Sequence, residues 1–560
     1  MNKDNKTRSR DLIKLIPVKD KLFWLLLIVF IGIPLLYFSY IPIWDGWQFS
    51  RCYMRSALEG SADCERHSAF LHTLIYSLPQ RIDLGNFQLI YVTNLLFGIA
   101  GLISLRLLLA RLLSARLSPV NLTLLTFCFG LNPVFLVHVI QPSLDFTLPI
   151  LLVMVLLCLF TNRFILAAAA GILLVFTKES GFMLYGVGVF LYLLLMIFSD
   201  RSLLRNPVGL GKKTIVLIIP VLLFGIYMSH VPGTQIGTTW AEGIMKMFRF
   251  YLVSEVMLAQ LIALFVVNFN WIISAIILIN AAVIVVQYLG YSTHKAIIEP
   301  VFNKRYEGIY FCVLFAAIVY FLTRIPFVNN PRYMLPALPV MIILFGGSLI
   351  NVLRKETLIT IALTVILILL TASSLRTIDP VSKKAMGTFK FGSHDILQMA
   401  SYDWPGHGYG RDHLVYNFEF TQFHYLTEKL INKVGWARKF VFPPGFTWLP
   451  DFGAFDVKTG HRAIVGERIR ALEFNSSDSI TSYQISPDEF YYISYPNYDR
   501  DNVNSVERGK LSSAYDLKEI VTVENDGYSI DAYHYVRKNS RRRMSYDAAG
   551  NQDFNLSCCK

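Results

Sequence analysis

Apolar segments long enough to cross a bilayer recur along the first two thirds of this 560-residue chain. They begin at Leu22 and end near Leu370, and each has about 20 residues, the length that spans the hydrocarbon core as an α-helix. Charged residues make up only 16% of the chain, whereas soluble domains carry about 25%. The pattern predicts an all-α polytopic membrane domain over residues 22–375, with about 11 to 13 transmembrane helices.

Basic residues set the predicted orientation of this domain. Residues 1–21 carry seven lysines and arginines, and basic segments beside a span stay in the cytoplasm. The loop formed by residues 42–86 is therefore predicted to be external. Much of the net charge of +13 lies in short loops and sets topology, so no nucleic-acid partner is expected. Residues 232–294 contain two apolar stretches, and one crossing plus one interfacial or re-entrant piece satisfies the charge rule.

The composition becomes polar from Arg376 onward, and residues 376–560 are predicted to be a soluble domain on the outer face. Strands are predicted at Leu414–Phe420, Phe490–Ser494 and Ser529–Val536, and a helix at Gln422–Lys433. These elements predict a small C-terminal extramembrane α/β domain.

Two acids stand where external loops meet predicted spans. Asp45 lies between Trp44 and Trp47 just after the first span, and Asp145 opens the fourth span from a short turn. Ionisable residues near membrane depth are costly, which makes each a functional candidate. The structural alternatives are a solvated acid or a helix N-cap at Asp45, and a helix N-cap at Asp145.

Two cations occupy comparable positions on the same outer face. Lys178 and Glu179 join the fifth and sixth spans, and Arg332 and Tyr333 precede a late span. A lysine there can hold a lipid-linked phosphate as a point charge, and an arginine can contact phosphate in bidentate fashion. The alternatives are an interfacial ion pair with a snorkelling lysine and an Arg-Tyr pair that anchors the helix.

The first external loop carries further candidates. His67 and His72 are each a solvated residue, an acceptor contact or a metal ligand, but their spacing to other His and Cys residues forms no metal motif, so a divalent metal is unsupported. Cys52 and Cys64 can pair if the loop lies in an oxidising compartment. The sequence has no phosphate-binding glycine loop, which argues against an ATP-driven pump, and no Gly-x-Ser-x-Gly elbow of a serine hydrolase.

Taken in order, these motifs resemble those of membrane glycosyltransferases with the GT-C fold, in particular the protein O-mannosyltransferase-like group (glycosyltransferase family 39) and the bacterial aminoarabinose transferases of lipid A. Asp45 matches the acid of the family's first external loop, although Gly46 stands where the family has a second acid. The later segments that resemble family motifs are His67–Leu71, Leu131–Asp145, Gly171–Gly181 and Arg332–Pro339.

The resemblance implies an inverting transfer of a hexosyl or pentosyl group from a polyprenyl- or dolichyl-phosphate donor to an acceptor glycan, lipid or protein. A carboxylate accepts the proton of the attacking hydroxyl, and cations stabilise the departing phosphate. The residues implied are Asp45 and Asp145 for catalysis, Lys178, Arg332 and Tyr333 for the donor phosphate, and Glu179 and His67 in support.

Two other functions stay open at this point. A secondary transporter or lipid flippase predicts discontinuous spans with ionisable residues near the midplane, and the absent second acid at Gly46 fits a non-catalytic GT-C-like assembly factor. The expected location is a bacterial inner membrane, with the site facing the periplasm, and the endoplasmic reticulum is the alternative.

Overall fold

The computed structural model describes residues 20–38, 45–60, 69–199, 207–230, 255–288, 305–323, 331–375, 390–395, 425–427, 429–435, 438–442, 474–476, 487–494, 503–525 and 528–538, with a few isolated positions. The chain divides into two units, Met1–Thr421 with Phe455–Ala463, and Gln422–Ala454 with Ile464–Lys560. The domain boundary predicted at residue 376 and the N-terminal residues 1–19 lie outside the described ranges, and both remain predictions.

The helices of the first unit follow the apolar runs of the sequence. A π-helical turn (Leu264–Asn268) lies between α11 and α12, and a 3-10 turn (Pro331–Met334) precedes α14. In chain order the helices are α1 (Lys21–Leu35), α2 (Asp45–Glu59), α3 (Phe70–Ile82), α4 (Phe87–Leu113), α5 (Pro119–Gly130), α6 (Pro133–Val137), α7 (Leu144–Phe160), α8 (Phe164–Val175), α9 (Glu179–Ser199), α10 (Pro207–His230), α11 (Glu255–Ala263), α12 (Trp271–Tyr288), α13 (Arg305–Leu322), α14 (Ala337–Leu353) and α15 (Glu356–Leu375).

The apolar helices confirm the predicted α-helical membrane domain. In the described residues four helices are long and apolar enough to span a bilayer, one bent pair qualifies as a fifth, and six more apolar helices have 10–17 residues. Within the described ranges, four or five full-length spans are fewer than the 11 to 13 predicted, and the six further apolar helices are shorter than a full span. Large apolar side chains such as Ile28, Ile215 and Ile368 are exposed on them, as expected for surfaces that face lipid.

The apolar run of residues 119–140, which the sequence predicts as the third span, is not one continuous helix. Asn132 ends the connection after α5, and its side chain accepts a hydrogen bond from the Val134 amide at 3.0 Å, which starts the five-residue helix α6. A proline follows Asn132 and cannot continue the helical hydrogen bonds of α5. The Ser374 hydroxyl donates to the Leu131 carbonyl at 3.0 Å, so a backbone group released by the break is satisfied. The prediction of one unbroken helix here was wrong.

Residues 261–286 contain a sharp bend. Leu261–Asn268 and Trp271–Val286 meet at 109°. Asn270 lies at the bend with φ of +73°, a conformation that asparagine tolerates better than most residues. Its side chain accepts a hydrogen bond from the Ile272 amide at 2.9 Å and so begins α12. The two apolar stretches of this region form one bent element, which is either a broken span or a re-entrant loop.

The second unit contains a mixed five-stranded sheet in the order β4-β3-β5-β7-β6. Strand β3 pairs in parallel with β4 and β5, and β7 pairs antiparallel with β5 and β6. The predicted strands at residues 490–494 and 529–536 are confirmed as β5 and β7, and residues 425–427 and 429–433 of the predicted helix are helical. The predicted strand at 414–420 lies outside the described residues. The bounds are β1 (Lys390–Phe391) and β2 (His394–Asp395), a hairpin of the first unit, then β3 (Phe440–Phe442), β4 (Phe474–Ser476), β5 (Glu489–Ser494), α16 (Val503–Ser512), β6 (Tyr515–Asn525) and β7 (Tyr528–Arg537).

Candidate functional site

Two cations from separate parts of the chain meet at one buried carboxylate. The Lys178 ammonium lies 2.7 Å from the Asp145 Oδ1 atom, and the Arg332 Nε atom lies 3.6 Å from Oδ2. The exposed fractions of the three side chains are 11%, 7% and 6%. The predicted acid and cations therefore share one site, which we call the Asp145 cluster (Asp145, Lys178, Arg332 and Tyr333).

The start of α7 presents Asp145 to the cations. Ser143 caps the helix, because its hydroxyl accepts a hydrogen bond from the Asp145 amide at 3.1 Å. The Asp145 side chain is therefore not the N-cap of α7, which was the structural alternative for this residue. Its position in the first turn still lets the carboxylate gain from the positive end of the helix dipole.

A tight junction between α8 and α9 holds Lys178. The Gly181 amide donates to the Lys178 carbonyl at 2.8 Å, and a Cβ atom at Gly181 would overlap the Leu174 carbonyl oxygen. The buried Thr177 hydroxyl donates to the Leu173 carbonyl at 2.7 Å. Only glycine allows this close turn, and the turn directs Lys178 toward α7.

Tyr333 lies against both cations. The Lys178 ammonium is 4.8 Å from the centre of its ring, and the Arg332 guanidinium carbon is 5.1 Å from it. The Arg332 Nη2 atom also donates to the Tyr333 hydroxyl at 3.4 Å. A ring face attracts cations that are shielded from water, so Tyr333 helps to keep the two positive groups together.

A layer of stacked polar rings lies beside this cluster. The His72 ring stacks on Tyr76 with centres 4.3 Å apart, and its Nδ1 atom is 3.4 Å from the Tyr53 hydroxyl. The Tyr76 hydroxyl donates to the Asn94 side chain at 2.6 Å, and the Asn94 amide donates to the His138 carbonyl at 3.1 Å. The layer ties α2 and α3 to α4 and to the turn before α7.

His72 is kept neutral in this layer. Burial lowers the pKa of His72 to about 3, and the nearby Asp145 carboxylate opposes that shift. The ring lines a small cavity together with Thr147 and Thr177, which flank the Asp145 cluster in sequence. His72, for which the sequence left a solvated residue, an acceptor contact and a metal ligand open, is thus a buried neighbour of the cluster.

The sequence of α3 contained a signal for this neighbour. Its polar residues recur on one side of the helix and are buried, namely His72, Thr73, Tyr76, Ser77 and Gln80. Its large apolar residues Phe70, Leu74, Leu78 and Ile82 are exposed. A helix whose polar side faces protein and whose apolar side faces outward is expected at a membrane interface.

A small apolar groove lies between α9 and α13. One of its lining residues, Ser180, is two residues after Lys178 in the sequence. It is lined by Ser180, Met183, Leu184 and Val187 on α9 and by Ile318, Phe321 and Leu322 on α13.

The remaining predicted site residues are described only in part. Asp45 begins α2, but its side chain lies outside the described residues, as does all of His67. Glu179 begins α9 beside Lys178 and is half-buried. A Cβ atom at Gly46 would lie 2.8 Å from the Gln141 amide nitrogen, so a second acid at Gly46 would have to displace the Gln141 side chain.

Two further predictions concerned a disulfide and a metal ion. Cys52 is disulfide-bonded, as expected for an oxidising compartment, and its predicted partner Cys64 lies outside the described residues. Within the described ranges, no three His, Cys, Asp or Glu side chains form a group suited to a metal ion.

No protein-family model matches this chain, and no curated protein sequence matches it. Among solved structures, the chain is similar to ArnT from Cupriavidus metallidurans bound to undecaprenyl phosphate, with 14% identity and a TM-score of 0.49, over 90% of this chain and 97% of that chain. It is similar to the apo state of ArnT from the same organism with 13% identity and a TM-score of 0.48, over the same shares of both chains. Identity this low carries no residue role and no substrate from that protein to this chain.

Proposed function

We propose that this protein is an integral-membrane glycosyltransferase. It moves a sugar from a polyprenyl-phosphate donor to an acceptor at the non-cytoplasmic face of its membrane. The observation that carries the proposal is the convergence of Lys178 and Arg332 on Asp145 from three separate elements. Buried charges at membrane depth are costly and mark functional sites. A guanidinium beside an ammonium suits a phosphate group, since the first supplies a planar fork of donors and the second a point charge.

The proposed reaction is a substitution at the anomeric carbon of the donor sugar. The acceptor hydroxyl oxygen attacks this carbon from the face opposite the phosphate, and the bond from the carbon to the phosphate oxygen breaks, so the configuration inverts. The electron pair leaves with the polyprenyl phosphate, where Lys178 and Arg332 stabilise the added charge. The acceptor proton passes to a carboxylate, for which Asp45 is our candidate. Asp145 holds the two cations in place.

The surroundings of the cluster support a lipid-linked donor. The groove between α9 and α13 is apolar and is lined by Ser180, two residues after Lys178, and we propose that it holds the polyprenyl chain of a donor whose phosphate lies at the cations. The disulfide at Cys52 supports an external position for residues 42–86. We propose residues 22–375 as the catalytic domain, residues 376–560 as an external domain, and a bacterial inner membrane as the location.

The proposal is tested by the change Lys178→Met in the full-length protein in lipid nanodiscs. Loss of one charge-assisted contact to phosphate, worth about 1.5–3 kcal/mol, should raise the Kd for polyprenyl phosphate about 10- to 100-fold. Equilibrium binding of labelled polyprenyl phosphate measures the effect. An unchanged Kd would reject the phosphate role of Lys178.

The matched control is Lys213→Met. Lys213 lies on α10 with its ammonium 5.4 Å from the centre of the Phe164 ring, and the substitution makes the same change in charge and shape away from the cluster. The Kd of this variant should match that of the original protein. A parallel loss in both variants would indicate a general effect of net charge on lipid binding.

A transporter or lipid flippase remains the second candidate, because the bend at Asn268–Trp271 is the discontinuous helix that such proteins use. The two functions give different products from a glycosyl polyprenyl phosphate. A transferase releases polyprenyl phosphate, whereas a flippase moves the intact glycolipid between leaflets. Mass spectrometry of lipids recovered from proteoliposomes separates the two outcomes, and intact donor on the opposite leaflet would refute the transferase.

A further inference from the structure

Buried polar groups lie at the bend between the π-turn and α12. The Asn268 side chain is buried, and within the described part of the chain neither its amide nitrogen nor its oxygen has a hydrogen-bond partner. Three residues later the Trp271 indole nitrogen is also buried, and among the described residues it has no hydrogen-bond partner. We call Asn268, Asn270 and Trp271 the elbow. Since the great majority of buried polar groups in native proteins are hydrogen-bonded, three unpaired atoms within four residues need an explanation.

The elbow lies close to the Asp145 cluster. The Asn132 side chain donates to the Asn268 carbonyl at 3.3 Å, and Asn132 caps α6. The 3-10 turn that carries Arg332 packs against α6. The elbow and the turn with Arg332 therefore both contact α6. This helix has five residues and is about 7.5 Å long, so the two contacts lie near each other.

Contacts to α13 place the elbow in the same neighbourhood. The Phe265 ring in the π-turn lies 6.1 Å from the Phe315 ring of α13, centre to centre. The turn with Arg332 also packs against α13. The elbow and the cation site thus share two neighbouring helices, α6 and α13.

A broken helix in a membrane protein is tolerated where its backbone is buried in protein or lines a polar cavity. Discontinuous helices commonly carry substrate contacts at the break. The elbow carries no charged side chain, so it is not suited to the phosphate. It offers an amide donor, an amide acceptor and an indole donor beside an aromatic ring, and these groups suit the hydroxyls and the face of a sugar ring.

We infer that the elbow is a saccharide-binding subsite, in which the Asn268 side chain and the Trp271 indole N–H bind hydroxyl groups of a sugar ring. The inference rests on the proposed function. It places the bound sugar ring at the elbow, beside α6 and α13. The same chemistry recognises the sugar of the donor and a sugar of the acceptor, and the experiment separates these two sources.

The test compares the variants Asn268→Leu and Trp271→Phe with the original full-length protein in nanodiscs. Leucine has the same branched arrangement of four side-chain heavy atoms as asparagine and removes both polar atoms, while the Asn268 backbone carbonyl keeps its bond from Asn132. Phenylalanine keeps a ring and removes the indole N–H. The matched control is Asn280→Leu on the same helix, because the Asn280 amide already donates to the Ser348 hydroxyl at 3.1 Å.

The probes are polyprenyl phosphate without a sugar, its glucosyl, mannosyl and aminoarabinosyl forms, and the corresponding methyl glycosides. For a donor subsite, Asn268→Leu should raise the Kd of the preferred glycosyl lipid about 10- to 100-fold, the effect of losing two hydrogen bonds, with bare polyprenyl phosphate unchanged. Trp271→Phe should give about a fivefold rise. For an acceptor subsite, only the binding of a methyl glycoside should weaken.

A thermal unfolding assay without ligand distinguishes binding from a structural role. Removal of an unpaired buried amide should leave the midpoint of Asn268→Leu equal to or above that of the original protein. A lower midpoint together with equal losses for bare and glycosyl lipids would overturn the inference and indicate a structural residue. Unchanged binding of all probes would overturn it and indicate a site for buried water only. A protein that binds no polyprenyl lipid at all would instead refute the proposed function, and the subsite with it.

Discussion

Replacing Asp145 by asparagine should destabilise this protein more than replacing either cation that contacts it. At an effective dielectric constant of 20, a charge pair at the 2.7 Å separation of Asp145 and Lys178 has an attraction of about 6 kcal/mol. The 3.6 Å pair of Asp145 and Arg332 gives about 5 kcal/mol. Desolvation offsets much of both terms, and breaking a buried pair typically costs about 3–5 kcal/mol in total.

The variants Asp145→Asn and Lys178→Met differ in what they leave behind. In Asp145→Asn, two cations remain close together without their shared carboxylate, so the full loss of about 3–5 kcal/mol is expected. In Lys178→Met, the carboxylate keeps Arg332, and methionine fills the space of the lysine stem, so about 1–3 kcal/mol is expected. The free energy of unfolding in mixed detergent micelles measures both changes.

The double variant Asp145→Asn/Lys178→Met completes the cycle. Because the two residues are in direct contact, their effects should not add, and the coupling energy should lie between about 1 and 3 kcal/mol. Additive effects, or a Lys178→Met variant less stable than Asp145→Asn, would refute the account of one carboxylate holding two cations. Binding should show the reverse order, because Asp145→Asn keeps both phosphate-binding cations.

Three further changes test other parts of the structure. Gly181→Ala should lower the free energy of unfolding by about 3 kcal/mol or more, because the added Cβ would overlap the Leu174 carbonyl oxygen. Its control, Gly186→Ala in the same helix, meets open space and should raise the free energy of unfolding by up to about 1 kcal/mol. Equal thermal midpoints for the two variants would contradict the tight junction. His72 has a folded-state pKa of about 3 against about 6.5 unfolded, so the unfolded state binds more protons between these values and stability falls as pH falls through that window. Between pH 7 and pH 5 the protein should therefore lose about 2 kcal/mol more than His72→Gln, and parallel pH profiles would contradict a buried neutral ring. Under oxidising conditions, Cys52→Ser should lower the free energy of unfolding by about 2–4 kcal/mol. Equal free energies of unfolding for the variant and the oxidised original protein would argue against the disulfide.

The positions of the helices and of the cations follow from local properties of the sequence. Apolar runs predict membrane helices because their composition decides burial in lipid, and the junction residues Lys178 and Arg332 are visible as the charged ends of those runs. Their convergence on Asp145 depends on how α7, α8 and the 3-10 turn pack. Residue 145 is separated from Lys178 by 33 positions, and no periodicity in the sequence reports that contact.

The helix breaks were harder to predict for a related reason. Asn132 and Asn270 are polar residues inside long apolar stretches, and a hydropathy average over about 20 residues conceals a single cap. A proline after Asn132 gave a usable sign of the first break. The second break lies between the two apolar stretches that the sequence separates within residues 232–294, so its place was predicted, whereas its angle of 109° was not. The Gly171–Gly181 segment resembles a family motif. A glycine is required at position 171 by close packing, since a Cβ atom there would overlap the Tyr185 ring.

The arrangement of α3, with its polar side chains facing protein and its leucines facing outward, restricts how this part of the molecule can be studied. A fragment of residues 42–86 produced in water would rotate this helix to hide Leu74 and Leu78, which would turn His72 and Tyr76 toward solvent. The ring stack would then be lost although the peptide remained helical. Antibodies or inhibitors selected against such a fragment would therefore recognise a surface that the protein in its membrane does not present.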